Sequence, residues 1–92
     1  MNRWRMTIYY SGRVQGVGFR YSTKSLARGY DVAGVVRNLP DGRVALITEG
    51  DRNELEAFRR AVQDSEVGGL IRNEEVTWGA ATGEFRGYEI VG

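Results

Sequence analysis

The stretch Gly12-Arg-Val-Gln-Gly-Val-Gly-Phe-Arg20 decides how this chain is organised. It holds three glycines, ends on an arginine, and lies between a run that alternates like a strand and a run with helical spacing. A glycine-rich bend between a strand and a helix leaves backbone N–H groups unpaired and pointing one way. Together with the positive end of the helix dipole, these groups attract an anion. The guanidinium of Arg20 adds a planar, permanently charged fork that matches phosphate oxygens.

The segments on either side of this bend have clear periodicities. Before it, alternation predicts a half-buried strand over residues 4–10, with one face formed by Trp4, Met6, Ile8 and Tyr10. After it, helical spacing predicts a helix of about three turns, whose apolar stripe is Phe19, Thr23, Leu26, Ala27 and Tyr30.

The rest of the chain predicts four further strands and a second helix. Residues 32–39 and 43–49 form a hairpin around the turn Pro40-Asp41-Gly42. Asp51 and Glu54 have the spacing of a capping box, with Asp51 at the N-cap and Glu54 reaching back. The apolar face of the helix that follows is Leu55, Phe58, Ala61 and Val62. Strands are predicted at residues 71–78 and 88–91.

This βαββαβ order, with a short C-terminal strand, predicts an α+β fold. Two helices pack on one face of an antiparallel sheet of four to five strands. With 92 residues, the chain is expected to be one domain, 1–92.

Composition excludes several classes of function. A net charge of +1 argues against duplex DNA as a partner. The chain has no cysteine and no histidine, which removes thiol nucleophiles, the commonest general base and the commonest metal ligands. No apolar run approaches the ~20 residues needed to span a membrane. The N-terminus carries no apolar secretion segment, so we expect a cytoplasmic protein.

Both candidate site residues also have a structural interpretation. The bend lacks the Lys-Ser or Lys-Thr of a Walker A loop and the spacing of the dinucleotide fingerprint, so it could be a tight turn without a ligand. A solvated Arg20 is less easily explained, because a cation near a helix N-terminus faces the unfavourable end of the dipole. Asn38 is a residue type disfavoured in strands. On composition alone it is a turn starter before Pro40-Asp41-Gly42.

Two segments together resemble the signatures of the acylphosphatase family. Residues 12–20 match the family's phosphate-loop signature. Gly34-Val-Val-Arg-Asn38, followed by Gly42-Arg-Val44 and later Gly50, matches its second signature. The interval between Arg20 and Asn38 also fits, and the resemblance extends from about residue 6 to residue 91.

This resemblance implies a ferredoxin-like α/β sandwich that hydrolyses acyl phosphates to a carboxylate and inorganic phosphate, without metal or other cofactor. The guanidinium of Arg20 would bind the phosphate together with the backbone amides of Gln15, Gly16, Val17, Gly18, Phe19 and Arg20. Asn38 would orient the attacking water. The resemblance further implies a small-molecule substrate, and we expect a monomer with no nucleic-acid or membrane partner.

A site without histidine is compatible with this reaction. The leaving carboxylate has a conjugate acid with a pKa of about 4, so it needs no general acid. A loose phosphoryl-transfer transition state demands little of a base, and the phosphate oxygens of the substrate can accept the proton of the water.

Three positions depart from the family pattern: Val35 replaces an aromatic residue, Asp31 a glycine and Tyr10 an aliphatic residue. All three concern packing or chain reversal.

Two other functions remain open from the sequence. One is a non-enzymatic anion-binding or regulatory domain. The other is an RNA-binding module of the same element order, although residues 43–48 lack the aromatic RNP1 pattern.

Overall fold

The computed structural model describes residues 3–92. In chain order its elements are β1 (Arg3–Gly12), α1 (Phe19–Ala27), β2 (Val32–Asn38), β3 (Val44–Asp51), α2 (Arg52–Asp64), a 3-10 turn (Gly68–Leu70), β4 (Ile71–Ala80) and β5 (Tyr88–Ile90). The sheet order is β4-β1-β3-β2-β5. All neighbouring strands are antiparallel except β5, which pairs parallel to β2. The ferredoxin-like α+β fold is confirmed, with a mixed sheet because of its last strand.

The core lies between the two helices and one face of the sheet. The even-numbered residues Met6, Ile8 and Tyr10 of β1 are fully buried, as their alternation predicts. Helix α1 contributes Phe19 to this layer. From α2, the predicted face is buried at Leu55, Phe58 and Val62, whereas Ala61 is only partly buried. Within residues 3–92, no helix combines the length and apolar character that crossing a bilayer requires.

The predicted capping box at the start of α2 is wrong in its hydrogen bonds. Asp51 does occupy the N-cap position, but its side chain makes no capping bond. Glu54 instead accepts a hydrogen bond from the backbone N–H of Asp31 at 2.8 Å. Because Asp31 lies in the turn between α1 and β2, this N–H has no strand partner, and Glu54 satisfies it. The carboxylate therefore ties α2 to a neighbouring turn rather than to its own first turn.

A segment of residues 81–87 crosses the sheet face that points away from the helices. At one end, the N–H of Ala81 donates to the carbonyl oxygen of Arg3 on β1. At the other, the carbonyl oxygen of Gly87 accepts from the N–H of Gly34 on β2. Since β3 lies between β1 and β2, this crossing segment spans β3 on its way to β5.

Glu49 on β3 holds this crossing segment in place. Its carboxylate is 2% exposed and accepts hydrogen bonds from the backbone N–H groups of Thr82 and Gly83, both at 2.9 Å. The Nε of Arg5 also donates to it at 2.8 Å. Burial alone would raise the pKa of Glu49, but these donors outweigh it and hold the pKa at about 2.

Candidate anion-binding site

The end of β1 and the end of β2 lie at the same end of the sheet. Val44, the first residue of β3, pairs with Tyr10 on one side and with Asn38 on the other. These three residues therefore form one row across the sheet. The chain leaves β1 just after this row, at Gly12, and enters residues 13–18, the glycine loop. The predicted site segments are thus brought to one end of the fold.

The glycine loop alternates between two backbone conformations. Gly16 and Gly18 have φ values of 75° and 83°, whereas no non-glycine residue in the described part of the chain has a positive φ. A Cβ added at either glycine would meet nothing within 4 Å. Glycine is therefore required there by the backbone and not by crowding. Alternation of this kind turns successive N–H groups toward a common point, which makes a concave anion site.

The N–H groups of residues 15–20, the N–H cradle, have no acceptor among residues 3–92. Helix α1 begins after Gly18, which provides no side-chain cap. Its first hydrogen bond runs from the N–H of Ser22 to the carbonyl oxygen of Gly18 at 3.0 Å. The donors before that bond are left to water or to a ligand. The cradle therefore combines open donors with the positive end of a helix dipole.

Gln15 joins the glycine loop to the β2–β3 hairpin. Its Nε2 donates to the carbonyl oxygens of Leu39 at 2.8 Å and of Arg43 at 2.9 Å. Those two carbonyls flank the turn that follows Asn38. From the sequence, only the backbone N–H of Gln15 is expected to take part in the site, and this side-chain bridge was not predicted. No local pattern indicates it, because both partners are backbone atoms far along the chain.

Arg20 lies in the first turn of α1, directly after the buried Phe19. Lys24, four residues later on the same side of the helix, lines a cleft with Tyr88 of β5. Arg20 is partly buried, and within residues 3–92 its guanidinium forms no ion pair and no hydrogen bond. A partly desolvated, unpaired cation next to the N–H cradle is a suitable partner for an anion.

Asn38 lies on the helix-facing side of β2, because it shares the orientation of buried Val36. The residue is partly buried, and its Oδ1 is buried without a hydrogen-bond partner in the described part of the chain. Buried polar atoms without partners are rare in proteins, and each needs an explanation. Among residues 3–92 the hydroxyls of Tyr10 and Thr23 share this property. The interpretation of Asn38 as a turn starter does not account for this orphaned atom.

The remaining predicted residues of the loop support its shape. Phe19 is 1% exposed, and its ring lies 5.2 Å from the ring of Tyr10. Val17 is partly buried against the core. Burial, together with the carboxylate of Glu74, raises the pKa of the Tyr10 hydroxyl. The ring of Tyr10 thus packs against Phe19, the first residue of α1, where the glycine loop ends.

Known proteins resemble this chain in both sequence and fold. The acylphosphatase family model matches residues 6–90. An acylphosphatase from Acaryochloris marina is 44% identical over 85 residues, covering 88% of this chain and 86% of the relative. An acylphosphatase from Roseiflexus sp. is 38% identical over 91 residues, covering 99% of this chain and 98% of the relative. The crystal structure of acylphosphatase from Bacillus subtilis matches with a TM-score of 0.87 at 35% identity, covering 96% of this chain and 98% of that one. The chain therefore belongs to the acylphosphatase family of enzymes.

Proposed function

We propose that this protein hydrolyses acyl phosphates to a carboxylate and inorganic phosphate at the end of the sheet where the glycine loop meets Asn38. The observation that carries the proposal is the N–H cradle, whose donors have no acceptor among residues 3–92, beside the unpaired Arg20. Family membership supports the reaction class.

In this proposal the phosphoryl group of the substrate sits in the N–H cradle. The guanidinium of Arg20 approaches the same oxygens from the side of α1. As the bond between phosphorus and the carboxylate oxygen lengthens, negative charge spreads over the phosphoryl and leaving oxygens. Donors already in position stabilise that charge without reorganising. The loop therefore serves the transition state as well as substrate binding.

Asn38 orients the attacking water. The side-chain amide of Asn38 forms a hydrogen bond with this water and directs the water oxygen at phosphorus, opposite the leaving carboxylate. The water forms the new bond to phosphorus, and its proton passes to a phosphoryl oxygen. The carboxylate leaves with the bonding electron pair and requires no proton. Correct placement lowers the barrier because a near-attack geometry replaces a random encounter.

Hydrolysis of benzoyl phosphate in the presence of a chelator tests the proposed reaction. We expect turnover that saturates with substrate and is inhibited by inorganic phosphate. A calorimetric titration with inorganic phosphate, run beside the assay, separates catalysis from binding. Phosphate binding without turnover would instead support the anion-binding domain. The cytoplasmic location and the monomeric state belong to the same proposal, and size-exclusion chromatography tests the second.

A further inference from the structure

A β-bulge at the start of β4 lies beside the entrance to the glycine loop. In the pairing of β1 with β4, Ser11 pairs with Asn73 but Gly12 pairs with Ile71, so Arg72 is an extra residue on β4. The Cγ of Arg72 lies 3.2 Å from the point where a Cβ on Gly12 would lie. The side chain of Arg72 therefore starts across Gly12, the last residue before the loop. Bulges of this kind redirect a side chain, and they are common next to active sites.

A second arginine follows Gly12 directly. The backbone N–H of Arg13 donates to the carbonyl oxygen of Leu70 at 3.0 Å, which ties the start of the glycine loop to the 3-10 turn before β4. Arg13 and Arg72 are both exposed, and within residues 3–92 neither forms an ion pair. These two arginines, the cationic rim, lie where the glycine loop meets β4.

The neighbouring carboxylates do not neutralise the cationic rim. On β4, Glu74 binds Arg59, with Nη2 2.7 Å from Oε1, and Glu75 lies 3.8 Å from Arg43. No carboxylate of residues 64–66, at the end of α2, forms an ion pair with the rim. The rim is therefore a local excess of positive charge in a chain whose net charge is only +1.

The rim is close enough to the N–H cradle to act on an anion that approaches it. Arg13 is two residues before Gln15, where the cradle begins, and two residues of chain span at most about 7 Å. This is less than the Debye length of about 8 Å at physiological ionic strength, so salt does not fully screen the attraction. A solvated surface arginine needs no β-bulge, whereas a charge held at the loop entrance does need its stem directed there.

We propose that the cationic rim captures the phosphate dianion of the substrate and guides it into the N–H cradle. The inference rests on the proposed function, because it places the reacting phosphate in that cradle. The rim differs from Arg20, which is partly buried and stabilises charge during the reaction. Exposed charges instead raise the local concentration of the substrate before it binds. Loss of the rim should therefore lower kcat/KM and leave kcat nearly unchanged.

The test measures kcat and KM for benzoyl phosphate at about 10 mM and about 500 mM salt. The variants are Arg13→Gln/Arg72→Gln, which removes both charges, and Arg13→Lys/Arg72→Lys, which keeps them. For the glutamine variant we expect kcat/KM to fall at least threefold at low salt and by less than about 1.5-fold at high salt. The lysine variant should recover most of this loss, because the attraction depends on charge and not on packing against Gly12.

The matched control, Arg3→Gln/Arg28→Gln, removes two exposed, unpaired charges at the opposite end of the fold. It should change kcat/KM by less than about 1.5-fold at either salt concentration. The rim is refuted if the glutamine variant loses nothing at low salt, loses the same factor at both salt concentrations, or matches the control. If the double variant does not fold, Arg13→Gln and Arg72→Gln are measured singly, and each should show part of the same salt-dependent loss.

A wild-type protein that does not hydrolyse benzoyl phosphate would contradict the proposed function instead. Calorimetric titration with inorganic phosphate at the same two salt concentrations then still tests the rim. The glutamine variant should bind phosphate at least threefold more weakly than the wild type at low salt and about equally at high salt. Equal affinity at low salt, or no phosphate binding by the wild type, refutes the rim.

Discussion

Gln15 binds Leu39 across the gap between the glycine loop and the β2–β3 hairpin, with its Nε2 2.8 Å from the carbonyl oxygen. The second bond of the same amide, to Arg43, fixes the other side of the turn. Because Asn38 directly precedes Leu39, this bridge sets the position of the N–H cradle relative to Asn38. The glycine loop supplies the N–H donors of the proposed site, and the hairpin supplies the side-chain amide of Asn38. Gln15 fixes the position of the loop relative to the hairpin.

Replacing Gln15 by methionine keeps the length of the side chain and removes both hydrogen bonds. We expect a loss of about 1–2 kcal/mol in the free energy of unfolding, since two partly buried bonds disappear. We also expect kcat/KM for benzoyl phosphate to fall by about 10- to 100-fold, because a small displacement of the cradle misplaces the phosphate. Urea unfolding and steady-state kinetics measure the two effects.

The control for this change is Gln63→Met, which removes hydrogen bonds from α2 to Glu74 away from the glycine loop. It should lower stability slightly without changing kcat/KM. Equal kinetic effects in the two variants would mean that Gln15 has no special role in positioning.

Gly16→Ala and Gly18→Ala test the loop conformation. Both positions have positive φ values, which cost a side chain roughly 1–2 kcal/mol each. A Cβ would meet no neighbour at either position, so the whole effect comes from the backbone. We expect each variant to lose stability by that amount and to bind inorganic phosphate more weakly by calorimetry.

Gly79→Ala provides the matched comparison. A Cβ at Gly79 also meets nothing within 4 Å, but its φ is not positive, and it lies in β4. Alanine there should leave stability within about 0.5 kcal/mol or raise it. If Gly79→Ala is as damaging as the loop variants, backbone conformation is not the reason.

Asn38→Val separates the two interpretations of this residue. Valine favours strands, and the change removes a buried Oδ1 that has no partner among residues 3–92. We expect stability to be unchanged or to rise by about 0.5–1 kcal/mol, while kcat falls by about 10²-fold or more. A turn starter would show the reverse, with lost stability and retained turnover. Asn73→Val on β4 controls for strand propensity and should not lower kcat.

The low pKa of Glu49 predicts how the free energy of unfolding changes in acid. Its pKa is held at about 2, below its ordinary value of 4.5, so the folded state releases this proton more readily than the unfolded state. The ionised carboxylate of Glu49 therefore adds roughly 3 kcal/mol to the free energy of unfolding. This contribution is fully present above about pH 5 and is lost as the pH falls toward 2. Glu49→Gln should therefore be less stable than the wild type at pH 6, with a difference that shrinks near pH 2. A difference that is constant with pH, measured by urea unfolding, would contradict this assignment.

Periodicity predicted the elements of this fold well where an element buries one regular face, as β1 and α2 do. It could not predict that β5 pairs parallel to β2, since a three-residue strand carries no signal of its neighbour. The capping box failed for a related reason. Glu54 had the right spacing, but a tertiary partner, the N–H of Asp31, competed successfully for its carboxylate.

The candidate site was predictable where residue type and local backbone determine it. The positive φ of Gly16 and Gly18 follows from the glycines, and Asn38 was conspicuous as an amide in a strand. The bridge from Gln15 was not predictable, because its partners are carbonyl oxygens that every residue possesses.

The most direct test of the account is kcat/KM for benzoyl phosphate, with a chelator present, for wild type and Arg20→Ala. We expect Arg20→Ala to retain its fold by circular dichroism and to lose about 10²- to 10⁵-fold in kcat/KM, because the charge that stabilises the transition state is gone. Arg20→Lys, which keeps the charge without the fork, should fall between the two. A folded Arg20→Ala variant with kcat/KM within threefold of the wild type would contradict the central claim.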